Sequence, residues 1–314
     1  MMTFENNHNA AASPRSLLIT GATGTLGNAF ARICYTRNLN AVVLNRAELD
    51  IAEPESIEQA LAKHNPWAVV NTAGYVRVDE AETDEARCFR ENATGPRLLA
   101  EACARHGVQL LTFSSDLVFD GAQETPYLES HQPNPQNAYG RSKLQAERDV
   151  LTALPSALVV RASAFFSPWD EHNFIHFVLQ ALQRGETFEA ADDVCITPTY
   201  VYDLVNTSLD LLIDKESGIW HLANHGSYTW AEFARRAAEM AGFDPDMVIG
   251  KPMAAFGLPA ARPRYTVLES ERAWLMPTVE HGLERYLNET DYRSHAVDVQ
   301  MADAGVEVDE SQAA

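Results

Sequence analysis

The stretch Leu17-Leu18-Ile19-Thr20-Gly21-Ala22-Thr23-Gly24-Thr25-Leu26-Gly27 constrains the fold more than any other part of the chain. Its first four residues form a continuous apolar run, which predicts a strand buried on both faces. Residues 27–37 then place Phe30, Ile33 and Cys34 on one helical face. The two can be joined only by a tight strand-to-helix turn. Gly21 permits the turn, Gly24 lets backbone N–H groups approach an anion, and Gly27 allows the helix to pack closely on the strand. A diphosphate would sit at the positive end of that helix, with Thr23, Thr25 and Leu26 beside it. The spacing is GxxGxxG, and no Gly-Lys-Ser/Thr follows, which argues against a nucleoside-triphosphatase loop.

The alternation continues along the N-terminal half. Strands are predicted at 41–44, 68–71, 109–113 and 157–160, and helices at 54–64, 95–106 and 139–154. Helices on both faces of parallel strands define an α/β fold, here a Rossmann-type doubly wound parallel sheet. From about Phe165 the pattern changes to a helix (174–184), a Pro/Thr loop (196–200), a helix (201–213), a short strand (219–223) and a helix (229–241). This predicts a smaller, interleaved C-terminal α/β unit for substrate. The expected division is a flexible segment at 1–14 and a dinucleotide-binding unit at 15–161 with a return segment near 195–215. A mainly substrate-binding unit at 162–288 and a disordered acidic tail at 289–314 complete it. From Asp298 onward the tail has five carboxylates and no base.

Composition removes several function classes. With 46% hydrophobic residues, the 314-residue chain can bury a large core. Its 44 acidic and 24 basic residues give a net charge of −20, which disfavours nucleic acid and anionic membranes as partners. No apolar run has the length of a membrane span and no signal peptide is recognisable, so a soluble cytoplasmic protein is expected. Cys34, Cys88, Cys103 and Cys195 form no CxxC pair and are expected as reduced, buried thiols. His64, His106, His131, His221 and His225 share no ligand spacing, so no metal is expected. The acidic run from Asp79 to Glu85 is expected to be the solvated face of a helix.

Chemistry enters with Tyr139-Gly140-Arg141-Ser142-Lys143. At i, i+4 on a helix, Tyr139 and Lys143 share a face. A phenol titrates near ~10, and a neighbouring ammonium is expected to lower that value. Tyr139 can then donate a proton to a carbonyl oxygen as hydride arrives at carbon. Ser114-Ser115-Asp116 ends the fourth strand, where open α/β sheets bind ligands. Strand alternation sends Ser114 and Ser115 to opposite faces, and either hydroxyl is a candidate to orient the substrate oxygen. Asn45-Arg46 follows the second strand, and a guanidinium without a competing carboxylate suits a 2′-phosphate. NADPH is therefore the expected cofactor, with NADH as the alternative.

Together these segments resemble the extended short-chain dehydrogenase/reductases, and more closely the dTDP-4-dehydrorhamnose reductase family. The resemblance rests on GATGTLG (21–27), LDI (49–51), NTAGYVRVDEAE (71–82), ENATGP (91–96), SSDLVFDG (114–121) and YGRSK (139–143). PTYVYDL (198–204), GIWHLAN with YTWAEFA (218–234) and ARPRYTVL (261–268) extend it. It implies Ser115, Tyr139 and Lys143 as the catalytic set, Asp50 and Ile51 as adenine contacts, and Ala73, Gly74 and Tyr75 along the middle of the cofactor. It also implies that Asn92 braces the lysine through water, whereas local spacing alone would make it a helix N-cap. Asp116, Ser163 and Arg262 are the implied substrate-side polar residues. The chain departs from the family at Ala164, where a Trp usually stands against the sugar, and at Leu117, which replaces an aromatic residue. The implied activity is NADPH-dependent reduction of a nucleotide-activated 4-keto-6-deoxy sugar, with dTDP-4-dehydro-β-L-rhamnose as the default and a homodimer as a common assembly. The alternatives are reduction or epimerisation of another nucleotide sugar, and a non-catalytic NADP-binding regulatory subunit like that of methionine adenosyltransferase.

Overall fold

The computed structural model describes residues 15–290 and Tyr292; the segment 1–14 and nearly all of the acidic tail lie outside the described residues. Its strands are β1 (Leu17–Thr20), β2 (Ala41–Leu44), β3 (Ala68–Asn71), β4 (Gln109–Ser115), β5 (Leu158–Ala162) and β6 (Phe165–Phe166). They continue as β7 (Phe188–Ala191), β8 (Cys195–Ile196), β9 (Thr199–Tyr200), β10 (Gly218–His221), β11 (Tyr228–Thr229) and β12 (Val248–Lys251). The helices are α1 (Thr25–Thr36), α2 (Pro54–His64), α3 (Glu85–Phe89), α4 (Gly95–His106) and α5 (Ala138–Ala153). Then come α6 (Phe174–Gln183), α7 (Val201–Ile213), α8 (Trp230–Ala241) and α9 (Val279–Glu289).

Six parallel strands form one sheet in the order β2-β1-β3-β4-β5-β10. Alternate residues of each strand enter opposite cores: Leu17, Ile19, Val70 and Val160 pack with α1 and α7, whereas Leu18, Val69 and Val159 pack with α2 and α4. A strand buried on both faces has no polar side, which explains the unbroken apolar run Leu17-Leu18-Ile19. One expectation is corrected here. The strand near 219–223 belongs to the large sheet, where Gly218–His221 pairs in parallel with β5 at the edge. Its Trp220 and the helix α7 before it supply apolar surface to that sheet's core.

The strand order reverses between β1 and β3, and a cleft opens at their carboxyl ends. Polar side chains fix the register there. Thr20 Oγ1 donates to Asn71 Oδ1 at 2.8 Å, and Asn71 Nδ2 donates to Thr112 Oγ1 at 3.1 Å. Beyond the sheet, α6, α8 and α9 build separate cores around Phe166, Phe233 and Tyr286 and around Val178, Ala234 and Val248. The α8 start is fixed by a capping box between Thr229 and Glu232, and Gly242 closes its end in the left-handed conformation. Of the four thiols, Cys34, Cys88 and Cys103 are buried as expected, but Cys195 is only half-buried in the short strand β8.

Candidate active site

Gly21 has φ +76°, and a Cβ there would lie 2.7 Å from Thr72 Oγ1 and 2.9 Å from Ala73 N. The turn therefore presses against the β3 end with no room for a side chain. Helix α1 begins at Thr25 after Gly24, and no side chain caps it, so its first N–H groups face the cleft without a protein acceptor on the cap. Gly21, Thr23, Gly24, Thr25 and Leu26 line this cleft with Arg46, Asp50, Ile51, Ala73 and Gly74. Close backbone, a free helix N-terminus and a guanidinium at the far end fit a dinucleotide with a 2′-phosphate. Asp170 also reaches the turn and accepts a hydrogen bond from Thr25 Oγ1 at 2.7 Å.

Asn45, Tyr75 and Asn92, also expected at the cofactor, are not among the residues that line this cleft. Asn45 turns inward on its own loop, its Oδ1 accepting the N–H groups of Ala47 and Glu48. The Tyr75 ring packs with Ala81, Cys88 and Ala138 and is 5% exposed. Asn92 is neither an N-cap nor a direct lysine contact. It is buried in a π-helical turn (Arg90–Thr94), accepting from Tyr75 N and donating to Tyr75 O and Ser142 Oγ. It thus ties the loop after β3 to α5. Arg46 lines the cleft as expected, but it has carboxylate partners: Glu91 at 2.8 Å and Asp50 at 3.4 Å. Sequence distance hid Glu91, which arrives from the turn before α4.

A second cleft meets the first along Leu26, Thr72, Ala73, Gly74, Val76 and Phe165. Ser115, Asp116, Tyr139, Lys143, Ser163 and Arg262 all line it. Tyr139 enters from the first turn of α5, which Asn137 caps by accepting from Gly140 N at 2.7 Å. Glu82 accepts from Ala138 N at 2.7 Å and steadies the same turn. The acidic run before α3 is therefore more than a solvated face, since Asp79 also binds Arg262 at 2.7 Å.

The two serines, which both line the cleft, take different partners: Ser114 Oγ donates to the buried Glu147, while Ser115 Oγ donates to Asp116 Oδ1 at 2.9 Å. Asp116 is buried, and Ser163 and Thr266 both donate to its Oδ2 at 2.7 Å. Burial raises its pKa while these hydroxyls oppose the rise. The sequence pattern gave no sign of Thr266, which joins Asp116 across 150 positions.

Lys143 Nζ donates to Phe113 O at 3.2 Å and lies 5.7 Å from the centre of the Tyr139 ring. Burial pushes Lys143 down to about 8, against the opposing influence of Cys88 and Glu147. The expected lowering of the Tyr139 phenol is overturned. Burial, reinforced by Asp116, raises it above the ordinary tyrosine value, and Ser115 only partly opposes this. The phenol thus keeps its proton at neutral pH, the state a proton donor needs.

The part of the cleft lining that follows β5 differs from the family pattern. Ala164 follows β5 with φ +27°, Phe165 reaches both clefts, and Phe166 is buried against Tyr200 and Phe233. Trp230, from the start of α8, also lines the cleft. Nothing in the local sequence around Ala164 points to it.

The family model described as "RmlD substrate binding domain" matches residues 15–291. The chain belongs to this family. It is 39% identical over 259 residues to "Probable dTDP-4,6-dihydroxy-2-methyloxan-3-one 4-ketoreductase" of Streptomyces antibioticus, covering 81% of this chain and 87% of that protein. It is 35% identical over 260 residues to a dTDP-4-dehydrorhamnose reductase of Streptomyces griseus, with 81% and 86% covered. The solved structure of dTDP-4-dehydrorhamnose reductase from Bacillus anthracis in complex with NADP superposes with a TM-score of 0.84 at 30% identity, covering 88% of this chain and 100% of that one. The fold alone is shared with UDP-glucose 4-epimerase from Thermus thermophilus, at a TM-score of 0.76 and 20% identity. Among the described residues, no helix is long and apolar enough to cross a membrane.

Proposed function

We propose that this chain is an NADPH-dependent reductase of a dTDP-activated 4-keto-6-deoxy sugar, with Ser115, Tyr139 and Lys143 as its catalytic residues. The observation that carries the reading is the meeting of two clefts. A glycine-lined cleft suited to a dinucleotide opens into one lined by a protonated phenol, a hydroxyl and a lysine. The family relatives named above support the sugar class, and the NADP-bound relative supports the cofactor.

When bound, NADPH supplies the hydride. The residues of the chain do the rest. Glycines 21 and 24 with Thr23, Thr25 and Leu26 would hold the diphosphate and Arg46 the adenosine phosphate, and Ala73 and Gly74 line the middle of the cleft. Ser115 exchanges its bond to Asp116 for one to the substrate carbonyl oxygen. Tyr139 donates its proton to that oxygen as carbon is reduced, and Lys143 beside it stabilises the phenolate left behind. Asp116, Ser163 and Arg262 form the polar side of the substrate cleft. In this reading residues 15–161, with a return near 195–215, hold the cofactor, and 162–288 mainly hold the sugar nucleotide.

The test is NADPH oxidation by the purified chain against dTDP- and UDP-linked 4-keto sugars. The set includes dTDP-4-dehydro-β-L-rhamnose and the dTDP-4,6-dihydroxy-2-methyloxan-3-one of the Streptomyces antibioticus relative's name. Turnover of a dTDP sugar is expected, and Tyr139→Phe should lower kcat by about 10²–10⁴-fold while leaving NADPH affinity within threefold. Tight NADPH binding without turnover on any sugar would instead indicate a regulatory subunit.

A further inference from the structure

We propose that Glu91 sets how strongly the adenosine end of the cleft discriminates between dinucleotides with and without a 2′-phosphate. This inference rests on the cofactor reading above. Arg46 is the cation offered to the phosphate, and its side chain is 56% exposed at the cleft. Glu91 also lines the cleft, yet its carboxylate is only 14% exposed. Oε1 of Glu91 takes both Arg46 Nη1 at 2.8 Å and Arg87 Nε at 2.9 Å. A second carboxylate, Asp50, lies 3.4 Å from Arg46 Nε and is itself held by Arg90 at 3.2 Å and by the Ala52 N–H.

The guanidinium is therefore already partly neutralised when a cofactor arrives. A 2′-phosphate bound to Arg46 would share it with Glu91, leaving two anions about one guanidinium apart. Because Glu91 is largely shielded from water, that repulsion is less screened than at an open surface. A ribose carrying only hydroxyls meets no such penalty, since it brings no charge to the Arg46–Glu91 pair. Glu91 thus weakens the advantage that Arg46 gives to NADPH and leaves NADH binding nearly unaffected.

The experiment measures Kd for NADPH and NADH directly, by cofactor fluorescence without sugar substrate, for the wild type and for Glu91→Gln. Glutamine keeps the shape and removes the charge. NADPH Kd should fall on the order of tenfold at low ionic strength while NADH Kd stays within threefold. The difference should shrink at 0.5 M salt. Repeating Glu91→Gln on an Arg46→Gln background should give no selective gain for NADPH, because the repulsion matters only when the phosphate is drawn to Arg46. Equal changes for both cofactors, weaker NADPH binding, or a gain that persists without Arg46 would each overturn the role of Glu91. If the wild type bound neither cofactor, the cofactor reading would fall, and this inference with it.

Discussion

Gly140 lies between the proton donor and the rest of α5, and its substitution by alanine tests what sets the distance from Tyr139 to Ser115. A Cβ at Gly140 would overlap the carbonyl oxygen of Leu117 and lie 3.0 Å from that carbonyl carbon and from Pro135 Cβ. Carbon atoms pack best at about 3.5–4.0 Å, so the helix start and the turn after β4 must part by roughly 1 Å. That turn, Asp116–Val118, directly follows Ser115, and Tyr139 precedes Gly140. The separation therefore falls on the two hydroxyls that must reach one substrate oxygen. Overpacking of this kind costs about 1–3 kcal/mol in stability, which a folded domain generally tolerates. A misplacement of ~1 Å at reacting groups costs about 10²-fold in rate. Gly140→Ala should thus remain folded by circular dichroism and bind NADPH within threefold of wild type, but lose about 10²-fold in kcat. A folded variant retaining more than a third of wild-type kcat would refute the idea that this backbone contact sets the spacing.

Two further outcomes follow from buried charge. Burial pushes Lys143 down to about 8 from the 10.5 of a free lysine. Between those values the unfolded chain binds the extra proton, so stability should rise with pH across that window, and the wild type should gain on Lys143→Met between pH 7 and 9.5. Denaturant melts of both proteins at the two pH values check this, and a difference that does not change with pH contradicts it. Glu147 and Arg161 form a bidentate pair at 2.8 and 2.7 Å, with side chains 3% and 2% exposed. Glu147→Gln leaves Arg161 buried beside His221, and should destabilise by about 3–5 kcal/mol in urea unfolding. A loss below about 1 kcal/mol would show that the site rehydrates.

The features legible in the sequence are those set by short-range geometry. The buried strand, the glycine turn and the Tyr139/Lys143 spacing each depend on neighbours within a few residues, and all take their expected places. Strand alternation gives Ser114 and Ser115 different surroundings, but the buried Glu147 that engages Ser114 stands 33 positions away. The remaining features depend on partners distant in sequence. Arg46 looked unopposed because Glu91 is 45 positions away. The resemblance places Tyr75 along the cofactor and Asn92 behind the lysine, whereas the Tyr75 ring packs against Cys88 and Ala138 and Asn92 bonds to Tyr75 and Ser142. Electrostatics was the least legible. Proximity of a lysine argued for an acidified phenol, but burial, which a sequence does not display, moves it the other way.

Asp116 gathers hydroxyls from positions 115, 163 and 266. During synthesis, the glycine turn, Tyr139 and Lys143 all leave the ribosome long before Thr266. A nascent chain could therefore assemble its sheet while the carboxylate under Ser115 still lacked its last donor. Completion of the reductive centre waits for a residue late in the sequence, so a prematurely terminated product would have the fold's first half with that centre unfinished.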